Sequence, residues 1–125
     1  CPDFCRKCCG EVYDMHFEED DILLRIMIGE KDTYRGRPLY EEIVEQARKA
    51  GLAGATVLRG LMGFGAHSRM HSAKLLSLST DLPVVIEIVD SKEKLDSFLP
   101  FLDEAVEEGI VTMEAVHVYK YRKGK

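Results

Sequence analysis

The segment GLMGFGAHSRMH, residues 60–71, concentrates residue types that hold small charged ligands. Gly63 and Gly65 flank Phe64, so backbone N–H groups there can approach a ligand closely and point at an anion. Arg59 and Arg69 lie beside them, and a guanidinium grips a phosphate through two parallel donors. Phe64 offers a face on which a base can stack. His67 and His71 are four residues apart, the interval at which a helix would place two zinc ligands on one face. No acid stands nearby to complete a metal set. The segment therefore reads first as an anion or nucleotide site, with a plain surface loop and a metal site as the alternatives.

A second cluster opens the chain. CPDFCRKCC places Cys1, Cys5, Cys8 and Cys9 together, with His16 beyond. The Cys5–Cys8 interval suits zinc, which makes Cys5, Cys8 and His16 the alternative metal ligands. Against this, adjacent cysteines rarely ligate one ion together, and no second C-x-x-C pair is present. Nowhere does a nucleophile, a base and an orienting group stand in a recognisable frame, so the reading is not an enzyme. Glu87 and Glu114 fall on strands, where an interface role suits them better than catalysis.

The elements that position these residues follow from length, charge and period. A chain of 125 residues makes one ordinary domain. With 46% apolar and 31% charged residues, it has a globular composition. It has no apolar run of membrane-spanning length and no basic-then-apolar signal sequence, although it opens on Cys1 rather than methionine. The expected location is cytoplasmic. A net charge of −5 argues against a nucleic-acid partner. That charge is unevenly spread. No Asp or Glu occurs from Gln46 to Thr80, where Arg48, Lys49, Arg59, Arg69 and Lys74 sit. A positive window on an acidic protein favours a small anionic ligand.

Residues 1–20 read as a Cys-rich extension and 21–125 as the folded domain. ILLRIMI (22–28), GATVLRGL (54–61), LPVVIEIVD (82–90) and IVTMEAVHVYKY (110–121) read as strands. PLYEEIVEQARKAG (38–51) reads as a helix, with Pro38 at its first position, early acids, late bases and Gly51 as its cap. A second helix starts at a Ser91 cap and carries Leu95, Phe98, Leu99 and Leu102 on one stripe, with Pro100 expected to kink or interrupt it. The loop 29–37 reads as a solvated turn in which Arg35 and Arg37 are minor anion candidates. The order is βαββαβ. It predicts an α+β ferredoxin-like fold, a four-stranded antiparallel sheet with two helices on one face. The other face stays largely apolar, carrying Leu23, Met27, Val85 and Val89 around Arg25 and Glu87. Such a face asks for a partner subunit, with Arg25 and Glu87 paired across it.

Three stretches in order, GEKD through GRPLY, GLAGATVLRGLMGFG and MHSAKLLSLSTDLPVVIEIVD, resemble the small PII-like proteins related to the GlnB nitrogen regulators. The branch resembled is often encoded near fluoride channels, and the resemblance covers roughly residues 22–119. It implies a homotrimer with sheets facing inward and an adenine nucleotide (AMP, ADP or ATP) in the clefts between subunits. It also implies signal transduction through a loop, here 62–81, presented to a target protein such as a membrane transporter or channel. Two departures stand out. The loop has no tyrosine to modify, and VEEGIV stands where these regulators carry a glycine-rich phosphate loop. The ligand contacts would then fall on Arg59, Gly63, Phe64, Gly65, His67, Arg69 and His71. The alternative from another class is a trimeric metal-binding or metal-tolerance protein using the His or Cys residues.

Overall fold

A computed structural model describes residues 20–65, 70–72 and 81–124. Strand β1 (Asp21–Gly29) runs into a small hairpin, β2 (Thr33–Tyr34) and β3 (Arg37–Pro38), and then helix α1 (Leu39–Lys49). Strand β4 (Thr56–Arg59) leads to a second hairpin, β5 (Met62–Gly63) with β6 (His71–Ser72). Strand β7 (Pro83–Asp90), helix α2 (Lys92–Ala105) and strand β8 (Ile110–Val116) complete the domain. The main sheet has the order β4-β7-β1-β8 with every pairing antiparallel, the ferredoxin-like arrangement expected from the sequence. No described helix is long and apolar enough to cross a membrane.

Period-2 alternation assigns the two faces. Leu24, Ile26, Ile28, Val84, Ile86 and Ile88 are buried under the helices. They meet Leu39, Ile43 and Ala47 of α1 and Leu95, Phe98, Leu102 and Ala105 of α2. Those helical residues recur every three or four positions, which is why each helix offers one apolar stripe to the sheet. On the other face, Arg25 Nε donates to Glu87 Oε2 at 3.0 Å, as the alternation predicts. Around that pair Met27, Leu58, Val89 and Ile110 remain exposed.

Helix α1 ends in a Schellman motif: Gly51 N–H donates to Arg48 C=O and Leu52 N–H to Ala47 C=O, with Gly51 at φ 80°. Several local expectations shift. Pro38 occupies the N-cap, one residue before the helix. Pro100 does not interrupt helix α2, which runs on through it to Ala105. Pro100 faces solvent, so the carbonyl it leaves unbonded opens toward water, while Phe98, Leu102 and Ala105 hold that turn against the core. Strand β8 stops at Val116, and 117–121 is not strand.

The turn expected at 29–37 is a hairpin turning at Arg35 and Gly36, both with positive φ (53° and 81°). Its arginines are engaged by acids: Arg35 with Glu104 at 3.2 Å and Arg37 with Glu42 at 3.3 Å. Tyr34 donates to the same Glu104 at 2.6 Å, tying the hairpin to α2. That bond holds the Glu104 carboxyl below its ordinary range and pushes the Tyr34 phenol up.

Candidate functional site

The segment singled out in the sequence lies at one end of the sheet, where β4 leaves it. Gly60 N–H donates to Pro83 C=O at 2.7 Å. A Cβ on Gly60 would stand 2.9 Å from Pro83 Cγ, and one on Gly63 would stand 3.2 Å away. These glycines thus permit a close crossing over β7, a packing role the sequence reading did not foresee. Gly65, by contrast, has open space around it. Gly63 pairs with His71 in the β5–β6 hairpin, and beside it Leu61, Met62, Phe64 and Met70 are exposed. Arg59 donates to Glu30 Oε2 at 2.7 Å, an acid 29 residues earlier in the chain. His67 and Arg69 lie outside the described residues, as do Cys5, Cys8 and His16. Among the described residues, no three His, Cys, Asp or Glu side chains are grouped to hold a metal.

The turn after β1 grips both arms of this crossing. Glu30 N–H donates to Leu82 C=O at 2.8 Å, and Lys31 N–H to Asp81 Oδ1 at 2.8 Å. Asp32 Oδ2 accepts Gly29 N–H at 3.0 Å. Burial raises the Asp32 carboxyl above its ordinary value, and the charges of Asp81 and Glu108 push it the same way.

The opposite end of the sheet holds a cavity of about 870 Å³, a size that admits a nucleotide. The loop 51–56, the end of β7, the start of α2 and the tail 118–123 surround it. Asp90 organises it: its Oδ2 accepts Ala53 N–H at 2.8 Å and its Oδ1 accepts Ser91 N–H at 2.7 Å. Glu87, also on the wall, is taken by Arg25. The tail crosses the sheet end from the β8 edge and is fastened where Tyr121 Oη donates to Ala53 C=O at 3.2 Å. Lys94, Lys120 and Lys123 line the cavity, and among the described residues none of the three forms an ion pair. Leu52, Ala55, Val89 and Val118 supply apolar wall. Sequence reasoning missed this place. Its walls are small residues and backbone, and its cations come from segments 26 residues or more apart. The run GLAGAT ahead of a strand, with a basic tail, was the available signal.

The sequence profile of the DUF190 family, described as an uncharacterised ACR, matches residues 21–118. The chain belongs to the DUF190 family. Related UPF0166 proteins include one from Aquifex aeolicus (strain VF5), 40% identical over 96 residues, covering 77% of this chain and 90% of the relative. Another, from Methanocaldococcus jannaschii, is 34% identical over 99 residues, covering 78% and 91%. Among solved structures, this chain is similar in fold to CPII of Thiomonas intermedia K12, a nitrogen regulatory PII-like protein bound to ADP, AMP and bicarbonate. That match has TM-score 0.57 and 22% identity, covering 81% of this chain and 90% of the other. A Thermus thermophilus protein described as a putative PII-like signalling protein matches with TM-score 0.57 and 21% identity, covering 79% and 89%. The fold of this DUF190 chain is that of the PII-like proteins, as the sequence resemblance implied.

Proposed function

We propose that this chain is a cytoplasmic PII-like sensor without catalytic activity. It binds an adenine nucleotide at the clefts of a homotrimer and presents the loop 62–81 to a target protein, such as a membrane transporter or channel. The observation that carries the reading is the cavity at the 51–56 end of the sheet. Asp90 and Glu87 on its wall are occupied by N–H and guanidinium donors, while Lys94, Lys120 and Lys123 stand without ion pairs among the described residues. Lys94 Nζ donates to Gly51 C=O at 3.5 Å, but a phosphate would supply the counter-charge to these lysines, and the apolar wall suits a base. The relatives in fold that bind ADP and AMP support the same ligand class.

The exposed sheet face around Arg25 and Glu87 supports assembly, because a second copy would bury Met27, Leu58, Val89 and Ile110. In a closed ring, each cavity opens beside that face toward a neighbour. The neighbour's Arg59, Gly63, Phe64, Gly65, His67, Arg69 and His71 then complete the site. Ligand binding shifts the population of loop states that the target reads. Residues 1–20 stand ahead of the domain as an extension.

Calorimetric titration with AMP, ADP and ATP tests the reading, and binding by none of them would sink it. Lys94→Ala is expected to weaken the bound nucleotide by about 1.5–3 kcal/mol, as loss of a charge-assisted bond does. Sedimentation giving the mass of one subunit would remove the trimer.

A further inference from the structure

Arg59 is a ligand contact in the reading above, yet without ligand it is already engaged. Its guanidinium donates to Glu30 at 2.7 Å, with the Glu30 side chain 24% exposed and that of Arg59 63% exposed. Glu30 is also held through its own backbone N–H, bonded to Leu82 C=O. Arg59 is held by its backbone too, in the β4–β7 ladder, so what separates the pair is the side chains: that of the acid is the more enclosed and that of the arginine the more open. Asp81 and Asp32 stand at the same turn: their carboxylate oxygens lie 3.0 Å and 3.2 Å from where a Gly29 Cβ would be. An anion reaching Arg59 therefore meets the Glu30 carboxylate, with two further acids at the same turn, and must draw the guanidinium away from Glu30.

We propose that Glu30 is a positioning residue that latches Arg59 to the β1–β2 turn in the unliganded protein, and that a phosphate-bearing ligand opens the latch by taking Arg59. The exchange is physically easy in one direction. A half-exposed ion pair is weakly bound, whereas a phosphate accepts two parallel guanidinium bonds. Opening it frees the β4–Gly60 arm from the turn, while Leu82 and Asp81 stay bonded to Glu30 and Lys31. Ligand binding is thereby read out as a change in one arm of the crossing only. This inference rests on the nucleotide reading, and its test separates the two.

The test uses Glu30→Gln and Glu30→Asp in the full chain, with ADP as titrant and amide hydrogen exchange at Gly60–Gly65 as the second measurement. The latch requires Glu30→Gln to bind ADP about two- to fivefold more tightly than wild type, because a competitor for Arg59 is gone. A purely structural contact would instead weaken binding when lost, and weaker or equal affinity overturns the proposal. Glu30→Asp keeps the charge but is one methylene too short for the bond. It should match Glu30→Gln; behaviour like wild type assigns the effect to charge alone and overturns the latch. Without ligand, both variants should exchange faster at Gly60–Gly65, with the amides of Ile26 and Ile86 unchanged. Unchanged exchange at Gly60–Gly65 also overturns it. Should wild type bind none of AMP, ADP and ATP, the proposed function fails, and the exchange arm alone decides the latch.

Discussion

The two ends of the sheet are built on opposite terms. At the Pro83 end, backbone and side chains press on glycines. A Cβ on Gly109, whose φ is 151°, would stand 2.5 Å from Met27 C=O, and one on Gly60 2.9 Å from the Pro83 ring. At the Asp90 end, Gly51 and Gly54 have nothing within 4 Å, and a cavity of about 870 Å³ replaces the packing. Carboxylates differ in the same sense. Asp90 accepts two backbone N–H groups, whereas Asp32 and Asp81 crowd each other beside Gly29. One end is closed and sets two bonded carboxylates side by side; the other is open, and its Asp90 stands between two backbone donors. The lesson is that glycine alone says little about ligand approach. What stands opposite the missing side chain decides it.

Substitutions can break this contrast. Gly109→Ala should have the largest effect, because a backbone oxygen cannot give way and the positive φ adds strain; a loss of about 3 kcal/mol in urea unfolding is expected. Asp90→Ala comes next. It leaves the N–H groups of Ala53 and Ser91 without their acceptor, at about 1–3 kcal/mol, and should also loosen the cavity loop in hydrogen exchange. Asp32→Asn should act with the opposite sign. The carboxyl of Asp32 is raised in the fold, so stability falls as pH climbs from the ordinary carboxylate value through the raised one, then levels. The asparagine variant should therefore gain on wild type through that window, and urea midpoints followed across it check this. Gly54→Ala should be the smallest, within about 0.5 kcal/mol of wild type or slightly stabilising, since open space receives the methyl group. A large loss there would mean the two ends are less different than they look.

Much of the architecture was legible because burial imposes simple periods. The alternation of Leu24, Ile26 and Ile28 against Leu23, Arg25 and Met27 gave β1 its faces and anticipated the Arg25–Glu87 bond. Gly51 after Arg48 and Lys49 gave the end of α1. The misses are local. Pro100 sits on a solvent-facing position of α2, opposite the Leu95, Phe98 and Leu102 stripe, where lost helical bonding is tolerated; the stripe shows that face, but not that packing would carry the helix through the proline. The β2–β3 and β5–β6 pairs are two residues long, too short to show a period. The candidate segment was read as acid-free, which holds along the chain but not in space, because Glu30 meets Arg59 through the β1 turn. The cavity was illegible for a related reason: its walls come from a helix-to-strand loop, a strand end and a tail that only the sheet assembles.

The strand order carries a consequence for how the molecule comes into being. Strands β1 and β4 belong to the first half of the chain but do not touch; β7 lies between them, and β8 closes the far side of β1. A chain emerging from synthesis as far as the β5–β6 hairpin therefore has two strands separated by a slot about 10 Å wide, and no ladder to join them. Pairings such as Asp21 with Val116 span almost the whole domain, a pattern that slows folding and makes it all-or-none. The sheet must wait for its third strand to be threaded into the middle, so the halves cannot mature one after the other. A chain broken before Pro83 would leave α1 a core to cover with its central strand absent.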